Sequence, residues 1–438
     1  MEDTKNIYRP FSFDTFSYFL SPEILEKVNL KRGTQHRDRC FGLAGFIWFG
    51  LFVAAQTSLP SLQHIFDLAG SLPSTVQPVS LASVSAFCQY RTAFPIKTML
   101  YLWRYLLAHF NTKFIQTDYL WHGFKLRAMD GTLLNLPEKL YPYFGASGGL
   151  GPGPVQGFLV VLYDLMGCVP LALRMSPAVN EGRPQLSLKH LLGHLKTGDL
   201  LLLDAGFDSL EVFCLLLKQD VHFLIPMRST AKPQLIKWFT SNDGLYQIKA
   251  SKYWKHNPCV DSFLAVRIIH YQIPGFRPRR LITSLLDPVA YPAEEIIQLY
   301  HQRWQIEIFF REFKHTLQIT HWHAHTLPAL WSELLFQILL VVVTRLAMAE
   351  AGDQAGIASQ HLSFGKCLSD VKRALVIMQF VPVAEWPKIY QALLERCQHH
   401  IIDIRLGRRF ERDIRKRRLR SRGRYPQKTQ LKEKTNVA

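Results

Sequence analysis

The 438-residue chain has few cysteines, seven in all at positions 40, 88, 168, 214, 259, 367 and 397, and no two form a Cys-x-x-Cys pair. That spacing excludes a zinc ribbon and a redox dithiol motif, and an odd, scattered set fits a reducing cytosol. The glycine- and proline-rich stretch 145–157 lacks Gly-Lys-Ser/Thr and misses the Gly-x-Gly-x-x-Gly spacing. It therefore reads as a loop and not as a phosphate cradle. No uncharged apolar run reaches the roughly 18 residues of a membrane-spanning helix. Residues 40–55 fall short of that length and Arg345 interrupts residues 334–349, so both are expected as buried core helices. The N-terminal residues lack the basic-then-apolar pattern of a secretory signal.

Acidic residues are also scarce: 34 Asp and Glu stand against 52 Lys and Arg, a formal net charge of +18. Hydrophobic residues at 48% and charged residues at 20% are ordinary globular usage, which excludes a disordered or fibrous chain for most of the length. Much of the basic excess is local, with fourteen Lys or Arg and only Glu411, Asp413 and Glu433 in residues 405–434. A basic tail on a moderately basic body points to a polyanion, nucleic acid ahead of anionic membrane. A merely solubilising tail is the plainer alternative.

Along the chain, residues 1–115 read as helical and are expected to contact DNA, with ordinary packing helices carrying solvated charges as the equal alternative. Near Lys125 the texture changes to alternating short strands and helices. Residues 116–228 are expected to form the first part of an α/β core, with a short strand, a turn at Asp130-Gly131-Thr132 and an apolar continuation, a hairpin around Gly167, and a buried strand 199–203 ending at Asp204. Residues 229–280, with their aromatic and basic residues, read as a β-rich insertion. Residues 281–345 return to the core, with a continuous helix expected over 293–317. Residues 346–438 form a C-terminal helical region and the basic tail.

Three carboxylates stand out by position. Asp130 lies on the first core strand, Asp204 ends a buried apolar strand, and Glu307 is mid-helix. A carboxylate at the mouth of a buried strand is costly unless it is paired, hydrogen-bonded or metal-bound. Each alone is equally readable as a cap or turn residue; together they offer the oxygen ligands a hard divalent cation requires. On an ideal helix, Tyr300, Arg303, Glu307 and Lys314 fall within an arc of about 60°. That face presents a phenol, a guanidinium, a carboxylate and an ammonium, which suits a phosphate beside a metal. A solvated i, i+4 Arg303–Glu307 pair is the alternative. Glu312 lies roughly 140° around from Glu307 and is excluded from that face.

The spacing Tyr-x₂-Arg-x₃-Glu-x₆-Lys at residues 300–314 resembles the YREK signature of DDE transposases of the insertion-sequence-four type. Met129-Asp130-Gly131-Thr132 and Leu203-Asp204-Ala205-Gly206-Phe207 are similar to that family's two aspartate motifs, and Arg422-Gly-Arg-Tyr-Pro-Gln-Lys to its basic terminus. The sequence departs from the pattern in its long glycine- and proline-rich loop and in the interrupted approach Ile225-Pro226-Met227-Arg228.

The resemblance implies an RNase H-like catalytic core, a mixed sheet flanked by helices, with a β-rich insertion before the glutamate helix. It implies that Asp130, Asp204 and Glu307 are catalytic and hold two Mg²⁺ ions, with Mn²⁺ able to substitute. Tyr300, Arg303 and Lys314 would bind the DNA backbone. The partners implied are double-stranded DNA with terminal inverted repeats and a second copy of the chain in a synaptic complex. The setting implied is bacterial cytoplasm, on the nucleoid when DNA is bound. The activity implied is strand cleavage at transposon ends and transfer into target DNA. An inactive DNA-binding relative, or an RNase H-like nuclease without strand transfer, is the alternative. An insertion aromatic, Trp238 or Trp254, is a candidate to stack on a displaced base, though a packed core role suits either. His315, His321, His323 and His325 lack partners at ligand spacing and read as loop histidines, not a metal site.

Overall fold

The computed structural model describes residues 26–28, 43–56, 61–70, 83–114, 120–145, 153–178, 184–228, 233–250, 263–273, 277–317, 319, 322–378 and 381–402. The basic tail, Trp254 and His321 lie outside the described residues.

Among the described residues, the helices ahead of the sheet include α1 (Leu43–Ala55), α2 (Leu62–Gly70), α3 (Val84–Ala93) and α4 (Ile96–Phe114). Ser83 caps α3 by accepting from the Ala86 N–H, one of the four amide groups a helix start leaves unpaired. The sheet begins with β1 (Lys125–Asn135), β2 (Gln156–Asp164) and β3 (Val169–Pro177), an antiparallel meander. Its second turn forms as expected around Gly167, where the Asp164 carboxylate accepts from the Met166 and Gly167 amides. Helix α5 (Pro184–Leu191) leads to β4 (Asp199–Leu202), helix α6 (Leu210–Leu217) and β5 (His222–Pro226). Strand β4 is parallel to both its neighbours, β1 and β5, and is wholly buried. That placement accounts for its unbroken leucine run, since a strand covered on both faces has no polar side.

The expected insertion supplies β6 (Gln234–Thr240), β7 (Asp243–Lys249) and β8 (Phe263–Tyr271), and β9 (Arg279–Thr283) returns beside β5. They do not form a separate sheet. The nine strands among the described residues make one, in the order β3-β2-β1-β4-β5-β9-β8-β7-β6. The β3-β2-β1-β4-β5 portion, with β4 and β5 parallel to β1 and helices packed on it, is the mixed α/β core that the resemblance implies.

Beyond the sheet come α7 (Ala293–His301), α8 (Trp304–Arg311), α9 (Leu327–Ala355), α10 (Phe364–Met378) and α11 (Trp386–Gln398). Helix α9 is bounded by Thr326, which accepts from the Ala329 amide, and by Gly356 in the left-handed region at φ 65°. It is long and apolar enough to cross a membrane by composition, but 94% of its most apolar window is buried inside the protein. Helices α1, α4, α10 and α11 pack around it, and Phe46 of α1 meets Phe336 edge-on at 5.3 Å. The apolar stretches 40–55 and 334–349 are thus core helices in their described parts, which explains why their hydrophobic residues run all round.

The helix expected over 293–317 is divided. It turns tightly at Gln302–Arg303, where the Arg303 amide bonds back to Tyr300 and not to Leu299. After α8 it widens into a π-helical turn, Glu312–Thr316. Both departures change the angular phase on which an ideal helical wheel depends.

Candidate active site

Strand pairing places the two aspartates side by side. Ala128 of β1 is level with Leu202 of β4, so Asp130 and Asp204 follow at the same end of adjacent parallel strands. Each carboxylate is fixed by the backbone that follows it. The Gly131 amide donates to Asp130 Oδ1 at 2.7 Å, and the Gly206 amide donates to Asp204 Oδ1 at 2.9 Å. The glycines in both motifs have a steric cause. A Cβ on Gly131 would lie 2.3 Å from the Phe158 ring, and one on Gly206 would lie 2.8 Å from Asp204 Oδ1.

Glu307 enters from α8. Arg303 Nη2 donates to Glu307 Oε1 at 2.5 Å and Arg303 Nη1 donates to Asp130 Oδ2 at 3.4 Å, so one guanidinium bridges strand and helix. Burial pushes the Asp130 carboxyl up to about 6, and the nearby negative charges of Asp204 and Glu307 push the same way. The Gly131 hydrogen bond and the Arg303 charge oppose that rise. The carboxylates of Asp204 and Glu307, one from the neighbouring strand end and one from a helix, therefore both bear electrostatically on Asp130.

Their donor chemistry fits a hard divalent cation, because all three groups offer carboxylate oxygen and their mutual repulsion calls for positive charge. Among the described residues, however, no three Asp, Glu, His or Cys side chains converge on a single cation position. The positive charge present is that of Arg303.

The remaining helix residues are placed differently from the ideal-helix expectation. Tyr300 is 8% exposed, and its hydroxyl donates to the Leu203 carbonyl at 3.2 Å, the residue before Asp204. Its phenol is thus bonded to the protein backbone. Arg303, expected on DNA, is engaged with two carboxylates. Lys314 sits in the π-helical turn, half-buried, with its ammonium shifted down by desolvation. It makes no ion pair among the described residues. The exclusion of Glu312 from this face agrees with the structure: its Oε2 accepts from Arg345 Nη2 of α9 at 2.6 Å.

Arg228 is the residue that sequence reasoning passed over. Its Nε donates to the Ala205 carbonyl at 2.8 Å and its Nη2 to the Gly206 carbonyl at 3.0 Å, and its amide donates to Asp208 Oδ2 at 2.7 Å. It therefore clasps the turn that carries Asp204. Its position just past β5, the strand beside β4, was the available signal.

Trp238 lies on edge strand β6 at 47% exposure, against Tyr246 and His270, so it is not a packed core residue. His323 is bonded through Nδ1 to Glu333 at 3.2 Å, an interior contact and not a metal ligation.

The chain's residues 121–343 match the family described as the transposase DDE domain. Similar proteins include the transposase InsG for insertion sequence element IS4 of Escherichia coli (strain K12), 25% identical over 425 residues that cover 91% of each chain. The transposase for insertion sequence element IS231B of Bacillus thuringiensis subsp. berliner is 24% identical over 353 residues, 69% of this chain and 72% of that one. The cryo-EM structure of the piggyBac transposase synaptic complex with hairpin DNA aligns at a TM-score of 0.45 and 12% identity, over 89% of this chain and 85% of that chain.

Proposed function

The chain belongs to the transposase DDE domain family, and from that premise we propose that Asp130, Asp204 and Glu307 are its catalytic carboxylates. They would hold divalent metal, Mg²⁺ and two ions of it, for cutting DNA at transposon ends bounded by inverted repeats and joining those ends to target DNA. The observation that carries this reading is the Arg303 bridge. One guanidinium reaches both Asp130 and Glu307, so residues 177 positions apart (307 − 130) face one site beside Asp204.

When bound, divalent metal supplies the Lewis acidity that makes a water or a DNA 3′-hydroxyl nucleophilic and stabilises the leaving oxygen. The chain's own residues do the positioning. The amides of Gly131 and Gly206 aim the two aspartates, Tyr300 ties the glutamate helix to the strand before Asp204, and Arg228 holds the following turn. Such second contacts keep reacting groups in register, and small misplacements there are expensive in rate.

Lys314 and the basic residues of 405–434 are suited to phosphate oxygens, and the N-terminal helices to the DNA alongside. Trp238, exposed on the edge strand, is available to stack on a base. A second copy of the chain would complete the assembly on paired ends, in the bacterial cytoplasm.

The test is incubation of the full-length protein with Mg²⁺, DNA carrying the element's own terminal inverted repeats, and a target plasmid. The proposal expects nicks at the repeat boundaries and covalently joined ends in the plasmid. Cleavage without joining would support a nuclease instead. Binding with neither reaction would support an inactive DNA-binding relative.

A further inference from the structure

Of the groups whose charges bear on Asp130, two are negative, Asp204 and Glu307, and one is positive, Arg303. Arg303 sits at the start of α8, its side chain 13% exposed, with the guanidinium 5.8 Å from the centre of the Tyr300 ring. Its two nitrogens reach one oxygen each of Asp130 and Glu307. A compact divalent cation demands close oxygen ligands and near-ideal geometry. An oxygen already accepting from a guanidinium at 2.5 Å is a poor inner-sphere ligand until that donor leaves.

We propose that Arg303 is a displaceable internal counter-ion of the carboxylate site: it joins Asp130 to Glu307 in the metal-free protein and competes with divalent metal for the same oxygens. This rests on the reading of Asp130, Asp204 and Glu307 as metal ligands. It adds that the arginine of the helix signature controls metal entry, whereas an arginine reserved for DNA phosphate would leave metal affinity alone. The tight turn at Gln302–Arg303 favours such exchange. Arg303 lies between two short helices, and its side chain makes no capping bond to the start of α8, so its contacts are those to Asp130, Glu307 and the Tyr300 ring.

Two consequences separate this role from a purely DNA-binding one, and both are visible without DNA or turnover. Removing the guanidinium lifts the competition, so metal binds more tightly. It also leaves three carboxylates without their cation, so the metal-free protein is less stable and metal restores it by more than it stabilises the wild type.

The experiment is titration of the full-length protein with Mn²⁺ alone, following free Mn²⁺ by electron paramagnetic resonance and melting temperature in parallel. The proteins compared are wild type, Arg303→Ala, Arg303→Gln, Asp130→Asn and Glu307→Gln. The expected result is Mn²⁺ binding tighter by about tenfold in Arg303→Ala and in Arg303→Gln, as loss of a nearby positive charge requires. A larger Mn²⁺-induced rise in melting temperature is expected for both. Arg303→Gln keeps most of the side chain's length and serves if the alanine variant is poorly folded. Unchanged or weaker Mn²⁺ binding in both Arg303 variants, with binding lost in Asp130→Asn and Glu307→Gln, overturns the counter-ion role and leaves the carboxylate assignment standing. Wild-type Mn²⁺ binding in Asp130→Asn and Glu307→Gln overturns the carboxylate assignment and the counter-ion role with it.

Discussion

The hydroxyl of Tyr300 donates to the carbonyl oxygen of Leu203 at 3.2 Å, tying the helix before Glu307 to the strand end that carries Asp204. This neutral bond acts beside the Arg303 bridge in keeping the strand end and the helical segment in register. Tyr300→Phe removes the hydroxyl and keeps the ring. The expected cost is about 1 kcal/mol of stability, with cleavage slowed on the order of tenfold as the two elements lose register. Affinity for end DNA should stay within twofold of wild type. Denaturant melts, cleavage rates and end binding of the same preparation check it. A loss of DNA affinity equal to the loss of rate would show instead that the phenol grips phosphate.

Gly206 faces Asp204 closely enough that an added Cβ would lie 2.8 Å from Oδ1. The clash is with the end of a movable side chain, so the fold can yield by turning the carboxylate. Gly206→Ala should therefore change stability by less than about 1 kcal/mol. Cleavage should fall by about a hundredfold, because the aspartate is re-aimed. Single-turnover cleavage beside a thermal melt distinguishes this from general destabilisation.

Glu312 is not a member of the carboxylate site but is essential to the fold around it. Arg345 is buried in α9 with its guanidinium 4.5 Å from the Phe364 ring, and Glu312 is the carboxylate it pairs with, at 2.6 Å. Glu312→Gln leaves a buried cation without its counter-charge, at an expected cost of about 3 kcal/mol. The melting temperature should fall by several degrees, while the folded fraction keeps its metal requirement for cleavage unchanged. A melt indistinguishable from wild type would contradict the structural role.

Lys372 on α10 is buried, and desolvation pushes its ammonium down to about 8. In the unfolded chain the same group holds its proton to about 10.4. Between those values the unfolded state binds more protons, so stability rises with pH from about 8 to about 10, and the burial cost is fully present below 8. Lys372→Met should therefore stabilise the protein at pH 7 by on the order of 3 kcal/mol. That gain should shrink towards zero by pH 10.5. Paired melts of both proteins at pH 7 and pH 10 test the sign.

Much of this architecture was legible in the sequence, and the failures have definite causes. The leucine run of β4 read as a strand covered on both faces and Asp204 as its end, but the turn expected at Asp130-Gly131-Thr132 is not there: β1 runs through it to Asn135, paired throughout with β2. The long apolar stretches were recognisable as core helices because they were too short or were interrupted by charge. What the helix wheel could not show is that the helix is divided, by a tight turn at Gln302–Arg303 and a π turn at Glu312–Thr316. Neither departure has a proline or glycine to announce it. Nor could spacing foresee that β6 to β8 would extend the core sheet, because strand partners are chosen by long-range register.

As proposed, Asp130, Asp204 and Glu307 act as one metal-dependent site on DNA ends. Single-turnover cleavage of end DNA in Mg²⁺ by wild type, Asp130→Asn, Asp204→Asn and Glu307→Gln, each with its end-binding affinity, decides it. The amides keep side-chain shape and remove the charge that holds the cation. End binding within a few-fold of wild type is expected for all three, with cleavage abolished in each. Near wild-type cleavage by any one of them would remove that residue from the site.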